Sequence, residues 1–123
     1  MGSIAVVGAR DKREKAGFYV GEYLVHAGYR VVPISPRLAG GTLWGQTVKG
    51  SLEGVQAELV NIFRRSEDVP QHLDEILAMD PLPKVVWLQL GIRNDEVARV
   101  LESHGITVVQ DRCTLAEHRR LGL

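Results

Sequence analysis

Five short runs of apolar, mostly β-branched residues recur along the chain, at positions 4–7, 30–34, 59–63, 84–88 and 106–109. None of them alternates cleanly between apolar and polar residues. A strand wetted on one side alternates, whereas a strand apolar on both sides must be covered on both. Turn residues stop the runs, Gly8 after the first and Ser35-Pro36 after the second. The pattern therefore calls for a buried parallel sheet between two helical layers.

Helical patterns fill the intervals. Val20, Leu24 and Ala27 repeat at helical spacing, and Gly28 stops them. Val69, Leu73, Ile76 and Leu77 share one face of a helix expected to start at Ser66. Glu67 and Asp68 sit in its first turn, and Pro70 comes early, where proline is tolerated. Val97, Val100, Leu101 and His104 form a third stripe, with Asn94 as N-cap and Gly105 just past the end. Residues 114–121 read as a short closing helix capped by Thr114, and residues 37–55 as a long crossover with at most one short helix or turn. Strand–helix–strand alternation with short connections implies right-handed crossovers. The expected fold is α/β: a Rossmann-like, doubly wound, parallel five-stranded sheet of order 3-2-1-4-5, helices on both faces, in a single domain spanning residues 1–123.

Composition narrows the partners. Fifteen Lys+Arg balance fifteen Asp+Glu, which argues against a nucleic-acid binder, since such domains are usually clearly basic. No uncharged apolar run approaches the roughly 18 residues of a membrane span. One cysteine excludes an internal disulfide and a cysteine-rich metal site. No signal-peptide pattern precedes Ile4, so the cytoplasm is the default location.

In doubly wound sheets ligands bind beyond the C-terminal strand ends. After the first strand, Gly8 permits a tight turn and a helix opens near Gly17. Arg10, Lys12, Arg13 and Lys15 lie in this loop beside Asp11 and Glu14. A helix N-terminus with its amides suits a phosphate. The loop has neither Gly-x-Gly-x-x-Gly nor the Gly-Lys-Ser/Thr of a Walker A loop. After the second strand comes Pro33-Ile34-Ser35-Pro36-Arg37, with no acidic residue for the ribose hydroxyls of NAD. Arg37 instead favours a nucleotide with an extra ribose phosphate, NADP or coenzyme A. The prolines offer an apolar wall to an adenine. Arg64 and Arg65 follow the third strand beside Phe63, and Gln89 and Gly91 follow the fourth.

These segments, in this order, resemble a known family. Residues 4–9, 28–36, 63–66, 86–93 and 111–113 together are similar to the small stand-alone CoA-binding domains, related to the N-terminal domain of the succinyl-CoA synthetase alpha subunit. The resemblance implies a CoA- or acyl-CoA-binding domain without catalysis of its own. It implies Gly8, Ala9, Arg10 and Lys15 at the diphosphate, with backbone amides after Gly8 contributing. Ile34, Ser35, Pro36 and Arg37 would lie at the adenosine and its 3′-phosphate, and Phe63, Arg64, Gln89 and Gly91 along the pantetheine arm. Ser35 stands where the family usually has Asn. The family commonly has a helix before the first strand, and the synthetase's catalytic histidine belongs to a second domain.

No catalytic or metal constellation emerges. His26, His72, His104 and His118 pair with no cysteine or histidine at ligand spacing and read as structural or surface residues. Cys113 follows Arg112 and opens the closing helix, where a thiolate is stabilised. It is either a small apolar packing residue or a contact for the CoA thiol. Two other functions stay open: an NADP-binding redox or sensor domain, and a protein-interaction module on the same scaffold. A protein partner or a homo-oligomer is compatible with each.

Overall fold

The computed structural model describes residues 2–122. The elements run β1 (Ser3–Val7), α1 (Ala16–His26), β2 (Arg30–Ile34), β3 (Thr42–Leu43), β4 (Gln46–Thr47), β5 (Leu59–Ile62), a 3-10 segment (Ser66–His72), α2 (Leu73–Leu77), β6 (Val85–Leu88), α3 (Asp95–Ser103), β7 (Thr107–Val109) and α4 (Thr114–Leu121). Each of the five apolar runs forms a strand of one parallel sheet in the order β2-β1-β5-β6-β7. Beyond β2, Lys49 makes one further parallel bridge to Ile34. Counting that bridge as the third position gives 3-2-1-4-5-6, which contains the doubly wound 3-2-1-4-5 pattern. The run at 59–62 accordingly pairs with β1 on the side away from β2.

Burial explains the absence of alternation. Ala5 and Val7 face a large core with Val60, Ile62, Val86 and Leu88, covered by Val69 and Ile76 on one side and by Val97 and Leu101 of α3. Ile4 and Val6 face the opposite core, with Val20 and Leu24 of α1 and Leu115 of α4. Helices thus cover both faces. Among the described residues, no helix is long and apolar enough to cross a membrane.

Three local expectations change. Ser66 starts a 3-10 segment rather than an α-helix, because in an α-helix the Pro70 ring would clash with the carbonyl four residues earlier, that of Ser66. Its hydroxyl accepts from the Arg93 amide at 3.0 Å instead of capping. The closing helix takes Cys113 as N-cap, and Thr114 donates its hydroxyl to buried Asn61 at 2.8 Å. The segment 37–55 contains the β3–β4 hairpin. Trp44 and Gly45 turn it with φ 51° and 78°, the positive pair of a type I′ turn. Asn94 caps α3 as expected, its Oδ1 accepting from the Val97 amide at 3.0 Å.

Candidate functional site

The parallel topology brings the ends of β1, β2 and β5 to one edge of the sheet. A cleft of about 350 Å³ opens there, lined by Gly8, Ala9, Arg10, Ser35, Pro36, Arg37, Phe63 and Arg64. All eight are sequence candidates, drawn from three strand ends. Gly8 holds φ +90°, and a Cβ on it would lie 2.6 Å from the Phe63 carbonyl oxygen. Only glycine lets the β1 and β5 ends approach this closely. Ser35 is buried, and its Oγ accepts from the Leu38 amide at 3.3 Å, which turns the chain after β2.

The charge of the cleft comes from side chains. Its lining holds three guanidinium groups and no carboxylate. Arg37 is two-thirds exposed and lies 4.0 Å from Asp11; Arg64 lies 3.9 Å from Asp68. The Nε atoms of Arg10 and Arg64 are buried with no hydrogen-bond partner. Buried polar atoms are usually paired, so two unpaired donors in one cleft point to a missing acceptor. The first amides of the loop after β1 are taken up within the chain. Gly8 and Ala9 donate to the Ile34 carbonyl at 3.0 and 3.1 Å, and Arg10 donates to Gly17 at 3.1 Å.

An adjoining pocket of about 200 Å³ shares Gly8, Pro36 and Arg64 with the cleft and is lined further by Ile34, Gln71, His72 and Glu75. Sequence reasoning gave Ile34 a site role and read His72 as structural. His72 Nδ1 lies 3.7 Å from Glu75 Oε2, and neither ring nitrogen has a hydrogen-bond partner. Burial pushes the imidazole below its ordinary value; Glu75 opposes that shift and Arg64 adds to it.

Four candidates lie outside both linings. Lys15 is exposed and is the N-cap of α1. Gln89 is buried, and its Oε1 accepts from Asn61 Nδ2 at 3.1 Å and from the Thr114 amide at 3.3 Å. Gly91 donates its amide to Asp111 at 2.7 Å. Cys113 is half-buried against the α1-side core, which also includes Phe63 and Trp87. Trp87 donates its indole N–H to the Arg112 carbonyl at 2.7 Å, a structural tie.

A larger cavity of about 410 Å³ lies elsewhere, between α1, α4 and the sheet, lined by Ile4, Leu24, Leu59, Trp87 and others. Its walls are mostly apolar and hold no arginine, so it does not suit a phosphate.

Comparison with known proteins follows the same line. A family model described as CoA binding domain matches residues 2–119. An uncharacterized protein of Bacillus subtilis (strain 168), YneT, is 33% identical over 117 residues, covering 94% of this chain and 84% of its own. A Thermus thermophilus protein of solved structure is 40% identical with a TM-score of 0.92, over 98% of this chain and 90% of that one. A hypothetical protein from Pyrococcus horikoshii OT3 is 29% identical with a TM-score of 0.88, over 98% of this chain and 83% of that one.

Proposed function

The chain belongs to the CoA binding domain family, and on that premise we propose that it binds coenzyme A or an acyl-CoA across the ends of β1, β2 and β5, with no catalysis of its own. The observation that carries this reading is the cleft: eight candidate residues from three strand ends converge on it, with three guanidinium groups and no carboxylate. The residues fit the ligand. Arg10 and Arg64 carry unpaired buried donors for a diphosphate. Arg37, beside Pro36 at the exposed rim, serves the 3′-phosphate, and Ile34, Ser35 and Pro36 flank the adenosine. Phe63 leads from the cleft toward Gln89, Gly91 and Cys113, the direction of the pantetheine arm and its thiol. Lys15 supplies charge from outside the cleft wall.

The test is calorimetric titration of nucleotide-stripped protein with CoA, dephospho-CoA and NADPH. CoA binding at micromolar Kd or tighter, with NADPH weak, is the expected result. Arg37→Ala should weaken CoA by roughly five- to tenfold, the lower end for a charge-assisted contact at an exposed site. It should weaken dephospho-CoA much less. NADPH binding in place of CoA would favour a redox or sensor domain, because Arg37 suits a 2′-phosphate as well. Binding of neither would favour an interaction module.

A further inference from the structure

We propose that His72 couples ligand binding in the cleft to uptake of a proton. The inference rests on the CoA reading and concerns regulation of that same site. Arg64 is a wall common to the cleft and to the pocket that holds His72. The charged groups acting on His72 come from three segments: Arg64 from the turn after β5, Asp68 from the 3-10 segment and Glu75 from α2. Arg64 is balanced only by Asp68 at 3.9 Å, and an imidazolium at His72 is still opposed by that neighbouring cation. An anionic phosphate on Arg64 offsets that cation and adds negative charge of its own. The imidazolium then becomes favourable, and its Nδ1–H can close on Glu75 Oε2, now 3.7 Å away. Buried Nδ1, unpaired in this structure, gains a partner by that step. Glu75 is anchored for it, because its other oxygen accepts from the Leu52 amide at 3.1 Å.

Linkage makes the effect reciprocal: if the ligand raises proton affinity, the proton raises ligand affinity by the same factor. Burial already holds the free imidazole below its usual 6.5, so the gain appears as pH falls below that value. A midpoint displaced by half a unit to one unit corresponds to about three- to tenfold in affinity.

The experiment uses dephospho-CoA first, because the 3′-phosphate of CoA itself titrates at about pH 6. Calorimetry runs from pH 5.5 to 7.5 in buffers of different ionisation enthalpy, on the natural chain and on His72→Gln. The expected result is an affinity about three- to tenfold higher at the acid end, with fractional proton uptake, and a flat profile for His72→Gln. The His72 ring resonance should also titrate higher with ligand than without. That NMR measurement needs no variant and stands if His72→Gln fails to fold. A ligand that binds with no proton uptake, the same pH slope in His72→Gln, or an unshifted His72 titration would overturn the linkage and leave the CoA reading intact. Absence of binding by CoA and dephospho-CoA at every pH would remove both.

Discussion

Gly17→Ala should destabilise the protein, against its helix propensity. Gly17 is the second residue of α1, and alanine in a helix is favoured over glycine by up to about 1 kcal/mol. A Cβ at Gly17 would stand 2.6 Å from the Gly8 carbonyl oxygen and 2.9 Å from Cγ of Arg10. The arginine side chain can swing aside. The Gly8 carbonyl cannot, because its turn is tied through the Gly8 and Ala9 amides to Ile34. Relief must part the helix start from the turn and stretch the 3.1 Å bond from the Arg10 amide to the Gly17 carbonyl. Overpacking of this kind costs about 1–3 kcal/mol. Net of a propensity gain of about 1 kcal/mol, the loss is up to about 2 kcal/mol, or a Tm lower by up to about 8 °C in a domain of this size. Thermal and urea unfolding of both chains measure it, with an unchanged urea slope as the check on two-state behaviour. The same shift moves Arg10, so CoA affinity should fall as well. A Gly17→Ala chain more stable than the natural one would refute the close approach of α1 to the β1 turn.

Three further outcomes are expected. Thr114→Val keeps the side-chain shape but removes the donor to the buried Oδ1 of Asn61; it should cost about 1–3 kcal/mol by urea midpoint. His72 has a lowered value in the folded chain, so the unfolded chain takes up its proton first as pH falls below 6.5. Its contribution is therefore fully present above pH 6.5 and lost toward acid, and Tm against pH should fall more steeply for the natural chain than for His72→Gln. If Cys113 meets the thiol end of bound CoA, CoA disulfide should exchange with it faster than pantethine, which lacks the nucleotide, as read by intact mass; equal rates would argue against that placement.

The sheet was legible because burial on both faces dictates apolar residues at every position, as Ile4 to Val7 show on their two cores. What escaped was specified by partners distant in sequence. Trp44 turns the hairpin at positive φ, where asparagine or glycine is the usual signal. The reason lies in α1: the Trp44 ring packs so closely on Gly21 that a Cβ there would lie 2.3 Å from it. No local rule reads such a seat. Ser66 and Thr114 look like helix caps by the same local rules, yet each hydroxyl goes to a tertiary partner, the Arg93 amide and Asn61. Asn94, whose surroundings offer no stronger competitor, does cap as expected.

The candidate site divides along the same line. Residues just after β1, β2 and β5 converge because topology alone sends those ends to one place. A polar side chain after a strand is as good a structural tie as a ligand contact, and only its neighbours decide. Gln89 is drawn inward by Asn61 on β5 and the first amide of α4, and the amides of Gly8 and Ala9 are drawn to the Ile34 carbonyl. His72 shows the opposite error. With no cysteine or histidine at ligand spacing, it reads from sequence as a structural or surface residue. From Ser66 to His72 the chain is instead 3-10, which turns each residue about 20° further than an α-helix, about 120° over the six steps. His72 ends that segment, in the pocket beside Arg64.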